Sequence, residues 1–524
     1  MKKIYLLIAL AAGLVSSCSM DTEPEGSLPQ SETLQTPEDF TSMRNGLYSA
    51  LRVSVGGDNF YTPIEVQSDE FHAVYGNSNT MGDLYRWDFT PQNDYVATVY
   101  SNYQATISRA DFIIDGYNKC DMSEENGFDA AGIAAARAAK GDAFFARAYC
   151  IFMLSQYYCA DYEKETADEP NSGVSYRLDY NPSPDPSTYP QRKTLNETMK
   201  QVKDDLDSAA LYITTAGVPT NYRISVDAIT ALRARVALAM DDCLAAADYA
   251  AELVDGGTYR LVDGVNGIMS MWYDFDYAAF YEAVMSGAQI DKPEQKTGNS
   301  ETILQLEVGD GSDQWPAGTG TFYQTMQVGA NPDFVPTRTL YELYSDDDYR
   351  KEAYFYPGEI STNTGVTGKV YFFAKFPLDT YTYYQAASNS SVGVTEPKVF
   401  RIAEMYLIAA EGYAQAGDTQ KGAYYLNALK SKRIKDYTDQ TFASKDDLMK
   451  EIKNERQREM AGEGTRIFDL KRWHEPMQRG EAQNADLLLT TTPLNFSQPA
   501  DANRMTWPIP KNETDLHIVQ NPGY

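Results

Sequence analysis

Residues 400–433 read FRIAEMYLIAAEGYAQAGDTQKGAYYLNALKSKR, and small and apolar side chains recur through them at helical spacing. Residues 225–257, SVDAITALRARVALAMDDCLAAADYAAELVDGG, have the same build and split into two helices around Asp241 and Asp242. Superposing Ala234–Val254 on Ala410–Lys430 pairs Asp242 with Asp418, Ala247 with Ala423, Tyr249 with Tyr425 and Leu253 with Leu429. Small residues thus fall where two helices must approach closely, which is typical of a tetratricopeptide-like helical hairpin.

Further helices are indicated on the N-terminal side of these hairpins. In TPEDFTSMRNGLYSAL (36–51), Thr36 can cap a helix, Pro37 takes the first helical position and acidic residues fill the first turn. The stretch AAGIAAARAAKGDAFFARAYCIFMLSQYY (130–158) is rich in alanine and places apolar residues at helical spacing. The chain is therefore predicted to be mainly α, with a tetratricopeptide-like helical-repeat scaffold.

The composition changes between the two hairpins, in residues 258–397. Gly, Pro, Asn, Ser and aromatic residues dominate there, and ETILQLEV (301–308) and KVYFFAKF (369–376) read as short strands. Long irregular segments are usually functional or disordered, and the aromatic content argues against disorder. We expect residues 258–397 to form a loop-rich, ligand-binding lobe with short β-strands, between an N-terminal helical part (36–257) and a C-terminal helical part (398–524) that closes the same fold.

The N-terminus indicates export and lipid anchoring. Two lysines precede an apolar run, Ile4–Val15, which is shorter than the roughly 20 residues of a membrane-spanning helix but suits a signal peptide. VSSC (15–18) resembles a bacterial lipobox, so we expect removal of residues 1–17, lipidation of Cys18 and a tether over 18–35. The acidic residues that follow resemble the signal that sends some lipoproteins to the outer face of the outer membrane. An ordinary secretion signal with a chance cysteine is the alternative.

The charge and the cysteine content exclude several partners. Lys and Arg number 45 against 74 Asp and Glu, and the resulting net charge of −29 repels nucleic acid. The cysteines after Cys18 show no metal-ligand spacing, and the 3 histidines lie far apart, so a zinc site is not expected. No cofactor is expected. The alternative is a structural Ca²⁺ ion bound by acidic residues of the loops.

Catalytic motifs are missing from the sequence. It contains no HExxH and no GxSxG, and TGVTGKV (364–370) lacks the spacing of a phosphate-binding loop. Neighbouring acids occur at Asp346–Asp348 and at Asp274 and Asp276, but adjacent acids in a loop usually form a solvated turn. A glycosidase needs two carboxyl groups that face each other across a sugar. We therefore expect a protein that is not an enzyme.

Three C-terminal stretches carry a family resemblance: PKVFRIAEMYLIAAEGYAQAGD (397–418), EIKNERQREMAGEGTRIFDLKRW (451–473) and WPIPKNETDLHIVQNPGY (507–524). Together with the lipobox and the two N-terminal helices, in this order, they resemble the SusD/RagB family over nearly the whole chain. The resemblance implies a mostly helical fold with four tetratricopeptide-like units and a variable lobe.

The resemblance also implies a function. Family members are outer-membrane lipoproteins that face the cell exterior, bind oligosaccharides without cleaving them and sit on a SusC-like TonB-dependent transporter. This chain is therefore expected to bind a glycan and to deliver it to such a transporter. Some relatives bind peptides, so a peptide-capturing, RagB-like lipoprotein is the alternative.

The charged residues of the 451–473 stretch have a structural interpretation. Their spacing allows i, i+3 and i, i+4 pairs on helix faces, which would hold helix ends and loops of the scaffold. These residues are Glu455, Arg456, Arg458, Glu459, Arg466 and Asp469. We expect them to support the fold and not to touch ligand.

A sugar site needs aromatic platforms for the C–H faces of the ring and polar side chains for its hydroxyls. Three stretches offer both kinds of residue: FHAVYGNSNTMGDLYRW (71–87), IMSMWYDFDYAAFY (268–281) and GDGSDQWPAGTGTFY (309–323). The ligand-binding residues predicted from them are Tyr75, Asn77, Arg86, Trp87, Trp272, Tyr273, Asp313 and Trp315.

Each aromatic candidate also has a structural alternative. Trp87 could be packed in the core, and Trp272 and Tyr273 could staple a helix that follows them. Trp315 lies among Gly, Ser, Asp and Pro, where little core exists to bury it, so it is the strongest candidate. A further run, YTYYQ (381–385), reads more readily as edge-strand aromatics.

Overall fold

α-Helices make up most of the fold, which confirms the predicted class. The computed structural model describes residues 34–56, 61–75, 79–183, 185–273, 300–307, 332–362, 364–376, 396–489 and 493–524. In chain order the helices are α1 (Pro37–Val55), α2 (Tyr61–Glu65), α3 (Gly82–Tyr85), α4 (Asp94–Lys119), α5 (Ala130–Tyr158), α6 (Leu195–Tyr212), α7 (Val226–Ala239), α8 (Cys243–Asp255), α9 (Gly264–Tyr273), α10 (Arg338–Glu342), α11 (Tyr349–Tyr354), α12 (Ile402–Gln415), α13 (Thr419–Lys430), α14 (Lys445–Met460), α15 (Arg466–Arg472) and α16 (Lys511–Thr514). Among these helices none is both long enough and apolar enough to cross a membrane.

The two N-terminal helices begin where the sequence predicted. Thr36 Oγ1 accepts a hydrogen bond from the Asp39 amide at 3.3 Å, and Asp39 Oδ2 accepts from the Thr36 amide at 2.9 Å, so a capping box starts α1. Asp129 caps α5 by accepting from the Gly132 amide at 2.8 Å. Helices α1, α4 and α6 pack around α5, which explains why most of its residues are buried.

Both predicted helical hairpins are present, as α7–α8 and α12–α13. Asp242 accepts from the Ala245 amide at 3.4 Å and Asp418 accepts from the Lys421 amide at 3.0 Å, so equivalent residues cap equivalent helices. Helices α8 and α12 pack directly on each other. A Cβ added at Gly412 would lie 2.9 Å from the Cβ of Ala247 in α8. Small residues therefore permit the close approach of the two hairpins.

The strands of the described residues form short antiparallel pairs, and two of these pairs join the 258–397 region to the helical scaffold. The pairs are β1 (Phe71–Ala73) with β3 (Phe334–Pro336), β2 (Thr302–Gln305) with β6 (Lys398–Arg401), β4 (Phe355–Ser361) with β5 (Thr367–Phe373), and β7 (Met477–Gln478) with β8 (Ser497–Gln498). The two predicted strand segments are confirmed by β2 and β5. Because β2 and β3 pair with strands outside 258–397, sheet hydrogen bonds join this region to the scaffold. The division of the chain at residues 257 and 397 stays a prediction.

The closing WPIP segment is extended, because its two prolines exclude a helix. Trp507 is 2% exposed and packs on Tyr157 of α5, with ring centroids 4.8 Å apart. Its Nε1 donates to Gln67 Oε1 at 2.7 Å, and its amide donates to the Tyr157 carbonyl at 2.8 Å. The C-terminal segment is thereby fixed to α5 and to the chain that follows α2.

Candidate functional site

Trp87, in the first predicted stretch (71–87), is a core residue. Its side chain is 3% exposed, and its Nε1 donates to the carbonyl oxygen of Gln67 at 2.9 Å. Its own carbonyl oxygen accepts from Arg504 NH1 at 2.7 Å. A sugar ring has no access to the indole faces in this arrangement, so contact with a ligand would require neighbouring residues to move.

Tyr75 and Arg86 lie in the same stretch, and both side chains are partly exposed. Arg86 NH2 pairs with Asp83 Oδ1 at 3.0 Å, and its NH1 donates to Asn79 Oδ1 at 2.8 Å. The Tyr75 amide donates to the carbonyl oxygen of Leu487 at 2.8 Å, which fixes the backbone that carries the phenol. Both residues keep the solvent access that a ligand contact needs.

The inner side of this stretch is packed with buried polar groups. His72 Nε2 lies 2.9 Å from the carbonyl oxygen of Gly480, and burial lowers the pKa of His72 to about 4. The imidazole is therefore neutral at physiological pH. The guanidinium of Arg479 is stacked on the ring of Tyr85 at 3.9 Å from its centroid. These contacts fix the position of the stretch that carries the exposed side chains.

Trp272, in the second predicted stretch (268–281), lies in the last turn of α9 and is 3% exposed. The apolar run before Trp272 and Tyr273 is itself helical, and the helix expected after them falls outside the described residues, so that expectation stays a prediction. The indole meets the ring of Phe376 edge to face, with centroids 5.1 Å apart. Lys375 Nζ and Arg401 Cζ lie 5.0 Å and 5.1 Å from the centroid of the indole. Trp272 is thus placed to support a site and not to form its surface.

A run of rings, which we call the aromatic bridge, joins the first and second stretches. It consists of Phe71, Phe373, Phe376 and Trp272. Phe71 and Phe373 are 5.3 Å apart, Phe373 and Phe376 are 6.1 Å apart, and Phe376 contacts Trp272. The structure therefore brings together two stretches that are about 200 residues apart in the sequence.

Beneath Trp272 lies a buried group of ion pairs, which we call the charge cluster. Representative N–O distances are 2.7 Å for Arg433 to Glu301, 2.9 Å for Arg401 to Glu459 and 2.6 Å for Lys375 to Glu463. The members are Arg350, Lys375, Arg401, Arg433 and Arg458 as cations, with Glu301, Asp348, Glu455, Glu459 and Glu463 as anions. Equal numbers of opposite charges allow so many ionised groups to be buried together.

The electrostatics of the charge cluster keep its carboxylates ionised. Burial alone would raise the pKa of Glu459, but Arg433, Arg401 and Arg350 outweigh it and hold that pKa well below the usual value. The same balance lowers the pKa of Glu463, where Arg401 and Lys375 outweigh burial.

The pairing that the spacing within 451–473 allows is present at two places, Glu455 with Arg458 and Asp469 with Arg472, and is absent for the other residues of the set. Arg458 pairs with Glu455 one turn earlier, at 2.7 Å, as the spacing allowed. Arg456 instead pairs with Asp469 at 2.6 Å, and Arg466 reaches Asp69 at 2.6 Å. Most of these charged residues are buried, which agrees with a role in supporting the fold, but most of their ion-pair partners are distant in sequence. Sequence reasoning missed Arg401 altogether, although a charge between the apolar Phe400 and Ile402 was a usable signal.

The acids considered for catalysis do not form a solvated turn together. Asp348 is 3% exposed and pairs with Arg350 at 2.7 Å, so it belongs to the charge cluster. Asp346 is exposed, and its hydrogen bond and attraction to Lys351 lower its pKa. Within the described part of the chain, no group of three or more His, Cys, Asp or Glu side chains could hold a metal ion.

Several predicted residues lie outside the described residues. They are Asn77, Asp313 and Trp315, the acids Asp274 and Asp276, the run 381–385 and the lipidation site Cys18. Tyr273 is the last residue of α9, and its side chain is likewise outside the description. Ligand contact at the predicted residues stays a prediction.

Two family models together match most of the chain. The model described as the SusD family matches residues 292–524, and the model described as starch-binding associating with outer membrane matches residues 20–238. With the helical architecture described above, these matches place the chain in the SusD family.

Solved structures show the same fold. A SusD superfamily protein from Bacteroides thetaiotaomicron is 21% identical, with a TM-score of 0.72, and the match covers 93% of this chain and 100% of that one. A SusD-like carbohydrate binding protein from Bacteroides vulgatus is 15% identical, with a TM-score of 0.71 and coverage of 92% and 96%. Surface glycan-binding protein A from Bacteroides fluxus is 17% identical, with a TM-score of 0.66 and coverage of 94% and 100%. No curated protein sequence matches this chain.

Proposed function

We propose that this chain binds glycans at the cell surface without cleaving them and delivers them to a SusC-like TonB-dependent transporter. The observation that carries the proposal is the match of residues 20–238 to the family described as starch-binding associating with outer membrane. A similar structure named as a surface glycan-binding protein gives further support.

The geometry of the described residues supports a ligand face that starts at the first stretch. Tyr75 and Arg86 supply a partly exposed phenol and guanidinium, the kinds of group that contact a sugar face and its hydroxyls. The aromatic bridge links this face to Trp272, the residue before Tyr273. We propose that Tyr75, Arg86, Asn77, Tyr273, Asp313 and Trp315 contact the glycan, while Trp87 and Trp272 hold the surrounding structure.

The proposal also covers location. A lipid anchor on Cys18 and a tether over 18–35 would hold the protein on the outer membrane, facing the exterior. The lipobox-like VSSC and the acidic residues that follow it support this placement.

The experiment is a calorimetric titration of the chain from residue 19 onward with plant, host and microbial oligosaccharides and with mixed peptides. Trp315→Ala and Tyr75→Ala are each expected to lower the affinity for the bound glycan by about tenfold or more, because each removes an aromatic platform. Tyr424→Ala is the matched control, since Tyr424 is 63% exposed on α13 and belongs to none of the predicted stretches.

The thermal midpoint of each variant separates loss of contact from loss of fold. Trp272→Ala should lower the midpoint, because Trp272 is buried. Binding of peptides alone would favour the RagB-like alternative. Unchanged glycan affinity in both Trp315→Ala and Tyr75→Ala would refute the proposed site.

A further inference from the structure

Two glutamate side chains, Glu65 and Glu70, are buried below the first stretch, where the charge of Glu70 acts on Glu65. Each residue is 1% exposed. Glu65 Oε1 accepts a hydrogen bond from the Gly464 amide at 2.5 Å. Glu65 Oε2 and both carboxyl oxygens of Glu70 have no hydrogen-bond partner in the described structure. The amide of Gly462 faces Glu70 without reaching hydrogen-bonding geometry.

Two ionised carboxylates in this setting would be strongly unfavourable. A buried carboxylate needs donors or a positive partner, and two neighbouring ones also repel each other. Burial and the charge of Glu70 raise the pKa of Glu65 well above the usual value. Burial and the charge of Asp69 raise the pKa of Glu70 to about 7. A proton held between the two side chains removes one charge and supplies the missing donor.

A metal ion is a poorer explanation for the pair. Calcium and magnesium need about six or more oxygen ligands, and only two carboxylates meet here. The positive charge of Lys375 acts on both carboxyl groups and partly opposes the rise in their pKa values. The site therefore already faces a positive charge.

We propose that Glu65 and Glu70, while protonated, form a pH-sensitive latch that holds residues 61–75 against the loop at 462–464. The loop side of the latch is the Gly464 amide, which donates to Glu65. On the other side of the latch, only a short segment separates Glu70 from Tyr75, because β1 follows Glu70 directly and Tyr75 lies two residues beyond β1. Opening the latch would therefore loosen the backbone that carries Tyr75. This inference does not depend on the proposed function.

The other charged and titratable groups around the pair are already accounted for. Asp69 forms a two-point ion pair with Arg466, at 2.8 Å and 2.6 Å. Lys375 Nζ pairs with Glu463 at 2.6 Å and also donates to two backbone carbonyls. The phenols of Tyr157 and Tyr344 face the pair from α5 and from the turn after α10, and burial raises their pKa values well above 10.0, so they stay neutral.

The sign of the pH effect follows from the raised pKa values. The latch is fully closed below the usual glutamate pKa of 4.5, and its stabilisation is lost as the pH rises from there through the pKa values of the folded pair. Over that range each released proton should shift the opening equilibrium by about tenfold per pH unit.

Hydrogen–deuterium exchange of residues 61–75 between pH 5 and pH 8, corrected for the intrinsic pH dependence of exchange, tests the latch. The wild-type opening constant is expected to rise with pH. Glu70→Gln should flatten that rise, because the neutral amide can donate to Glu65 at every pH, and Glu65→Gln is a second variant with the same expectation. Glu359→Gln, at an exposed position in β4, is the control and should keep the wild-type slope.

A second measurement compares the wild-type protein with Glu70→Gln by infrared spectroscopy. Infrared difference spectra at pH 7 should show a protonated carboxyl band that weakens in Glu70→Gln, because that variant lacks one of the two carboxyl groups. A wild-type pH slope retained in both glutamine variants would overturn the proposal. The proposal would also be overturned by a slope that disappears when calcium is added or that reappears when calcium is chelated. Either result would mean that a metal ion bridges the pair.

Discussion

Replacing Glu459 with glutamine removes the most connected carboxylate of the charge cluster. Glu459 is fully buried, and its oxygens accept from Arg433 Nε, Arg401 NH1 and Arg350 NH1, each at 2.9 Å. Glutamine keeps one acceptor oxygen but turns an N–H₂ group toward guanidinium donors. Two charge-assisted hydrogen bonds are lost, worth about 1.5–3 kcal/mol each, which agrees with the 3–5 kcal/mol typical of breaking a buried ion pair. We therefore expect Glu459→Gln to lower the free energy of unfolding by about 3–5 kcal/mol.

Urea unfolding followed by circular dichroism measures this change through the midpoint at constant slope. Glu475→Gln is the matched control, because Glu475 makes a 2.7 Å pair with Lys453 but has a side chain that is 41% exposed. Such a pair contributes about 0–1 kcal/mol. If Glu459→Gln lowered the free energy of unfolding by no more than Glu475→Gln, the buried charges would not depend on one another. That result would refute the reasoning.

Two further predictions concern packing and pH. Gly412→Ala should destabilise the protein by about 1–3 kcal/mol, because the new Cβ would overlap the backbone of α8, whereas Gly46→Ala, with no atom within 4 Å of the new Cβ, should stabilise α1 by about 0.5–1 kcal/mol. Equal thermal shifts for the two variants would contradict the close packing of α8 and α12. Stability should also fall as the pH drops, because arginine and lysine neighbours outweigh burial and lower the pKa values of Glu455, Glu459 and Glu463. Their stabilisation is fully present above the usual glutamate pKa of 4.5 and is lost as the pH falls through the lower folded values, so a urea midpoint that stays constant from pH 6 to pH 3 would contradict it.

The parts of the fold that the sequence predicted have local determinants. Thr36, Asp129, Asp242 and Asp418 each cap a helix through the amide three residues further along, and such patterns can be read within one turn. The repeated hairpin was recognisable because close helix packing requires small residues such as Gly412 at fixed spacing.

The candidate site was less predictable because its determinants are distant in sequence. Arg433 and Glu301 are 132 residues apart, and nothing near either residue specifies the other. Trp87 and Trp272 each lie in a stretch that also carries polar residues, yet both are buried by rings and backbone from other segments. Asp348 looked like part of an acidic turn, but Arg350 makes it a buried partner. Burial is a property of the whole fold, so residue type alone could not separate a supporting aromatic residue from a ligand platform.

The central claim, glycan capture without cleavage, is tested most directly by titrating the oligosaccharide panel into the chain from residue 19 onward and analysing the recovered ligand. We expect saturable binding of at least one glycan, with the oligosaccharide recovered intact after prolonged incubation. Shortened oligosaccharide products would contradict the absence of catalysis, and saturable binding of peptides with no response to any glycan would contradict the assigned ligand class.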